Sequence, residues 1–146
     1  MAITSAICNS FKVEILTATH NFTASSGNTF NLALYTSSAT LNKSTTAYSS
    51  SNEISNTSGS AYSAKGNALT SVTPVLSSDT AVCDFANSSW TSASFTARGC
   101  LIFNDSASGD PAVCAFDFGG DKTVTSGTFT IEFPAASAGS AIIGIA

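Results

Sequence analysis

Apolar side chains recur along this chain with two periods. Ile3, Ile7, Phe11 and Ile15 are spaced by four, and Cys8, Leu16 and Ala18 widen the same stripe. That spacing predicts an amphipathic helix over residues 3–18, capped by Thr4 or Ser5, with Lys12 and Glu14 on the wet side. Phe11-Lys12-Val13-Glu14-Ile15 also alternates, so a strand is the competing reading there. From Thr29 onward the period is two. Thr29–Thr36 puts Phe30, Leu32 and Leu34 on one face. Residues 37–66 are rich in Ser, Thr and Asn, with Tyr48, Ile54 and Tyr62 as isolated anchors, and read as a polar loop region. Asn67–Leu76 and Thr80–Ala86 read as strands joined by the turn Ser77-Ser78-Asp79, with Pro74 marking an edge or the end of a strand. Ser94–Asn104 alternates without a fully polar face and is expected to be covered on both sides. Ala112–Phe118 and Gly127–Phe133 read as two strands separated by a turn at Gly119-Gly120-Asp121-Lys122, and Ala141–Ile145 as a short final strand.

The expected fold is therefore mainly β. It is a single domain over residues 1–146, an antiparallel β-sandwich or jelly roll of about seven short strands with one N-terminal helix. No internal repeat or domain boundary interrupts it.

Composition narrows the function classes. Only 10% of the residues are charged, the net charge is −4, and 43% are hydrophobic, which excludes a disordered tail. Five basic residues against nine acidic ones leave no footprint for nucleic acid. No apolar run approaches the ~18 residues that span a bilayer, so no membrane partner is expected. The start Met1-Ala2-Ile3-Thr4-Ser5 lacks a basic segment and an apolar core. Synthesis in a host cytoplasm without a secretory signal is expected, and a particle released by lysis would be a way out. There are 26 serines and 19 threonines among the 146 residues. The surface is thus expected to be polar through hydroxyls rather than charges.

Candidate chemistry is sparse. His20 is the single histidine, there is no G-x-S-x-G elbow, and no phosphate-binding glycine loop with lysine is present. No enzyme activity, cofactor or metal site is expected. Asp117 and Glu132 form the nearest thing to a carboxylate pair, and Asn104–Asp110 is an oxygen-rich loop without the calcium-loop spacing. Arg98, the single arginine, lies in an apolar strand. It is expected to pair with Asp84 or Asp117, in a buried ion pair or at a subunit interface. Cys8, Cys83, Cys100 and Cys114 include no C-x-x-C pair. They read as reduced, buried side chains, with Cys100–Cys114 as an alternative cross-strand disulfide if a hairpin centres near Ala107. Tyr48, Tyr62 and Trp90, if exposed, would suit stacking on sugar rings, which keeps a carbohydrate-binding adhesion module in play.

The order of motifs adds a resemblance. Asn9-Ser10-Phe11-Lys12 and His20-Asn21-Phe22 precede Phe30-Asn31-Leu32-Ala33-Leu34-Tyr35-Thr36. Asn52-Glu53-Ile54-Ser55 and Tyr62-Ser63-Ala64-Lys65-Gly66-Asn67 follow. Phe95-Thr96-Ala97-Arg98-Gly99, Phe116-Asp117-Phe118-Gly119-Gly120-Asp121-Lys122 and Phe129-Thr130-Ile131-Glu132-Phe133-Pro134 complete the series. Across nearly the whole chain this series resembles small virion structural proteins of tailed bacteriophages. Lys65 departs from the pattern, which has a second glycine after Ala64, and Cys83, Cys100 and Cys114 are not part of it. The resemblance implies a non-enzymatic particle component, most simply a capsid decoration (cement) protein. Its expected partners are the major capsid protein or other virion proteins and further copies of itself, with a trimer conceivable. A tail, neck or fibre position is the alternative.

Overall fold

The computed structural model describes residues 2–146. Eight strands and one helix form two antiparallel sheets, a β-sandwich. The larger sheet contains β1 (Ala6–Ile7), β2 (Phe30–Tyr35), β3 (Asn67–Ala68), β6 (Ser88–Asn104) and β7 (Ala112–Ile131), in the order β1-β7-β6-β2-β3. The smaller contains β4 (Ser71–Ser77), β5 (Thr80–Phe85) and β8 (Ile143–Ile145), in the order β4-β5-β8.

The four-residue spacing at the start makes a shorter helix than expected. Helix α1 covers Asn9–Leu16, and Cys8 caps it with extended backbone. Upstream, Ala6 and Ile7 pair with Ala115 and Cys114 of β7, and Ile3 bridges Leu41. The residues before Cys8 are thus held by strand pairing, which buries Ile3, and Ser5, an expected cap, instead accepts the Asp117 N–H at 2.8 Å. After Leu16 the chain turns at Thr17, and Ala18 has φ +60°. Leu16, placed on the apolar stripe by its spacing, is 87% exposed.

The expected turn at residues 119–122 does not form. β7 runs through it as one twenty-residue strand. Ala97 pairs with Lys122 and Gly99 with Asp117, so two steps along β6 match five along β7. The Gly-Gly-Asp segment is therefore a bulge opposite Arg98, with Gly119 at φ +80°. The glycines supply the bulge conformation, while continued pairing with β6 on either side prevents reversal. β6 likewise starts earlier than expected, at Ser88, and includes Trp90.

Residues 67–76 are divided: Asn67–Ala68 pairs with β2, and Ser71–Ser77 crosses to the smaller sheet. There Pro74 lies on the edge strand at a register shift, where its missing N–H costs nothing. β2 is buried along its whole length on both faces, not on one. The end of β6 from Gly99 to Asn104 is buried on both faces too.

The core joins the sheets through aromatic rings. Phe22 stacks on Phe30 at 4.3 Å between centroids, and Phe85 of β5 lies 5.9 Å from Phe30 and 5.6 Å from Phe133. A second cluster gathers Tyr62, Trp90, Phe95 and Phe129. Residues 37–66 contain no regular strand but are not free. Ala39, Leu41, Ile54, Ser60 and Tyr62 are buried, and Ile54 N–H donates to the Leu34 carbonyl at 2.9 Å.

Gly66 closes this loop at φ +66°, and a Cβ there would sit 1.8 Å from the Leu32 carbonyl oxygen. Gly109, at φ +83°, has open space around the same position. Gly66→Ala is expected to destabilise the fold by about 3 kcal/mol, and Gly109→Ala by about 1 kcal/mol, in urea unfolding. Equal costs would mean that backbone angle alone, not the approach of β2, requires glycine at 66.

Candidate functional site

Arg98 sits on β6 opposite the bulge. Its Nε donates to Asp117 Oδ1 at 3.0 Å, and Nη1 lies 3.9 Å from Asp121 Oδ1. Asp117 also accepts the Gly119 N–H at 3.0 Å. This N–H and then the guanidinium hold its carboxyl below the usual range. The residue ties the two ends of the bulge together. Asp84, the other expected partner, instead accepts the N–H of Phe85 at 2.8 Å and takes no part in the pair. Asp117 is thus committed to Arg98, and Glu132 is exposed, so they do not form a cleft pair.

All four cysteines are free thiols. Cys100 pairs with Phe116 and Cys114 with Ile102, so the two are diagonal rather than opposite. The hairpin is not centred on Ala107, since Phe103 stands opposite Ala112, and an extra residue before the Ile102–Cys114 pair moves the register one step further. Diagonal neighbours lie ~7–8 Å apart, beyond the reach of an unstrained bridge. Burial pushes the thiols up, to about 11 for Cys8 and about 12 for Cys100, which keeps them protonated and unreactive.

His20 is buried among Phe11, Phe22 and Phe30. Asn104 Oδ1 accepts the N–H groups of Ser106 and Ala107 at 3.0 and 3.2 Å. Its amide nitrogen therefore faces His20 Nδ1, at 3.1 Å. Nδ1 must accept, so the neutral ring carries its proton on Nε2, 3.7 Å from Glu14 Oε1. A second proton on Nδ1 would set two donors against each other. Burial lowers the imidazole's pKa, and Glu14 opposes that only in part. The ring is a neutral core member that joins α1 to β6.

The oxygen-rich loop at 104–110 is filled by a side chain. Lys65 Nζ lies 2.8 Å from Asp105 Oδ1 and 2.8 Å from Asp110 Oδ2, and 5.7 Å from the Tyr48 ring centroid. Lys65 itself has φ +71°, a conformation that favours glycine. Behind it Glu53 accepts three hydrogen bonds: Tyr48 and Tyr62 hydroxyls at 2.6 Å each, and the Lys65 N–H at 2.8 Å. The Tyr62 hydroxyl in turn accepts the Leu34 N–H at 2.9 Å. Nothing in the sequence spacing marked Glu53 as the centre of this network. Tyr62 is 1% exposed and Trp90 4%, so the exposed aromatic platform that sugar stacking needs does not form. Among the described residues, no group of three or more His, Cys, Asp or Glu side chains is placed to hold a metal ion. No helix is long and apolar enough to cross a membrane.

Part of what the fold leaves uncovered is apolar. Leu76 of β4, Ala81 of β5 and Ile145 of β8 stand side by side across the smaller sheet, with Leu76 74% and Ile145 55% exposed. Next to this row a groove of about 390 Å³ runs to the end of α1, lined by Ile15, Ala18, Phe22, Ala81, Cys83 and Ile143 among others. Leu16 of α1 and Val72 and Val75 of β4 are also exposed. Sequence patterning missed this face because apolar residues on a short strand read as core. The signal available was that Val72, Val75 and Leu76 cannot all share one face of a regular strand. No protein-family model, no curated protein and no solved structure matches this chain.

Lys65→Gly keeps the favoured backbone but loses both carboxylate contacts, whereas Lys65→Ala loses the contacts and keeps the strain. Thermal melts are expected to rank Lys65→Gly above Lys65→Ala, and the reverse order would remove the strain from the account. For His20, the folded pKa lies below the ordinary value of 6.5. Unfolded chains take up a proton that folded ones resist. The His20 contribution is therefore full above pH 6.5 and declines as the pH falls, by at most about 1.4 kcal/mol per unit. Urea unfolding between pH 7.5 and 5.5 should show this slope, and His20→Gln should flatten it.

Proposed function

We propose that this protein is a structural component of a tailed-phage virion, a capsid decoration protein that stabilises the assembled shell. The observation that carries the reading is the uncovered apolar face formed by α1, β4 and β8 on a sandwich that is otherwise neutral and hydroxyl-rich. Exposed contiguous apolar surface on a small domain marks a place where another protein docks. The ordered motifs that resemble virion proteins say what kind of assembly this is. The partners are the major capsid protein or other virion proteins, together with further copies of the chain. Binding the assembled shell but not its free subunits stabilises the shell by mass action, and many copies acting together strengthen it further.

Low charge suits this work. Hydroxyl pairs such as Thr96–Thr123 at 2.8 Å, and Ser89 with Thr130 at 2.9 Å, line much of the exposed ribbon. Closely spaced symmetric copies then meet without like-charge repulsion.

Quantitative mass spectrometry of purified virions tests the reading. Hundreds of copies per particle, in fixed ratio to the major capsid protein, are expected. Particles depleted of the protein should lose resistance to heat and chelator. A few to tens of copies would move it to the tail, neck or fibre, and absence from virions would end the virion reading.

A further inference from the structure

We propose that His20 is an acid-triggered latch on the β6–β7 hairpin loop. A proton added to Nδ1 expels the Asn104 amide, and the turn that Asn104 organises opens while α1 stays attached. The latch works in the isolated chain, independently of any assembly the chain joins.

Asn104, the last residue of β6, is 0% exposed and works as a hub. Its amide nitrogen donates to Asn28 Oδ1 at 3.1 Å, to the Thr19 carbonyl at 3.4 Å and to His20 Nδ1 at 3.1 Å. Its oxygen accepts the Ser106 and Ala107 N–H groups, which shapes the start of the loop. Two further bonds clasp that loop to the strand entering β2. The Asp105 N–H donates to the Thr29 carbonyl at 2.9 Å, and Ser106 Oγ accepts the Thr29 N–H at 2.6 Å. One buried side chain therefore joins the chain after α1, residues 28–29 and the hairpin loop.

This hub tolerates one state of the ring. A neutral imidazole with a bare Nδ1 completes it. A protonated Nδ1 faces an amide that has only donors to offer. Rotating the Asn104 amide gives no relief. Its nitrogen would then face the Ser106 and Ala107 N–H groups, and its oxygen the Thr19 carbonyl and Asn28 Oδ1. Turning the ring over would take Nε2 away from Glu14, against Phe11 and Phe30 at 5.0 and 6.1 Å between centroids.

The opposite edge of the ring behaves differently. Nε2 lies 3.7 Å from Glu14 Oε1, and that contact gains attraction when the ring becomes a cation. Acid thus strengthens the α1 side and breaks the Asn104 side. Asp105, the residue after the hub, carries one of the two Lys65 contacts, so release also loosens the tie between the hairpin loop and residues 37–66.

Glu14 of α1 is the carboxylate that faces the ring among the described residues. The thiols of Cys8, close to Glu14, and of Cys83, in the groove that His20 lines, are pushed up by burial to about 11 and carry no charge. Asp105 is held by Lys65. Burial outweighs Glu14 and sets the folded value of His20 below 6.5. The latch is closed at neutral pH and opens as the pH falls through that folded value.

Amide hydrogen exchange of the purified chain, followed by NMR and corrected for intrinsic rates, tests this between about pH 7.5 and about pH 5. Protection of the Asp105 and Ala107 N–H groups should fall at least about tenfold, in step with the His20 ring-nitrogen shifts. Protection around the distant Trp90–Phe129 pair should hold. His20→Gln should abolish the pH dependence, and Glu14→Gln should move it to lower pH. The wild-type series decides by itself if either variant folds poorly. Loop protection that stays constant while His20 titrates, a loss spread evenly over both sheets, or a neutral ring with its proton on Nδ1 would each overturn the latch.

Discussion

Glu53 carries a carboxylate to the junction of the polar loop and β2, where two tyrosine hydroxyls and a backbone N–H converge on it. Hydrogen bonds to a charged group contribute about 1.5–3 kcal/mol each, and here three act on one side chain. Their effect is topological as well as energetic. Tyr62 passes the link on to β2 through the Leu34 N–H, and the Glu53 backbone bridges Tyr35. Burial pushes the Tyr62 hydroxyl far up, so it stays a donor at any ordinary pH. Thirty residues without regular structure are thereby held as a lid on the larger sheet. The full burial of β2 depends on that lid, and so does the second aromatic cluster, in which Tyr62 stacks near Trp90. Lys65 extends the same network to Asp105 and Asp110, which joins the lid to the β6–β7 hairpin loop.

A second constraint shapes the other half of the molecule. β6 and β7 are too long to remain flat, because strands twist and long ribbons coil. The bulge opposite Arg98 concentrates that coiling at one point. The guanidinium bridges the carboxylates on either side of Gly119 and Gly120, so the bend keeps one geometry. Beyond it, Phe129 and Phe133 turn inward to meet Phe118 and Phe85. An isolated arginine in an apolar strand is in this way a fastening for the backbone and not a reactive group.

With lid and ribbon closed over the larger sheet, the polar and titratable side chains that drew attention are mostly consumed internally. His20 is locked neutral by Asn104, three of the four thiols are buried, and both carboxylates of the acidic loop are held by Lys65. The smaller sheet fares differently. Three short strands cover one end of the core, but their far ends extend past it, and α1 is too short to reach over them. The apolar groove is the gap that results. It is the part of the surface whose composition conflicts with exposure to water, and so it carries the functional reading.

By itself the sequence determined the β class, the N-terminal helix, most strand positions, the loop character of residues 37–66 and the edge marked by Pro74. These follow from local periodicity and from residues whose backbone preferences act wherever they stand. That Arg98 would find a carboxylate was also legible, since a lone cation in an apolar strand needs a nearby anion, but the choice of Asp117 over Asp84 was not. Tertiary structure decided the rest. Gly119-Gly120-Asp121-Lys122 is a bulge and not a turn because β6 continues opposite it. Cys100 and Cys114 miss each other because the hairpin is centred past Ala107 and one extra residue in β7 shifts the register further. Leu16 and Leu76 are exposed because no element lies above them, although spacing placed Leu16 on the apolar stripe. Local pattern specifies which residues prefer burial, whereas the number and length of the covering elements decide which of them obtain it.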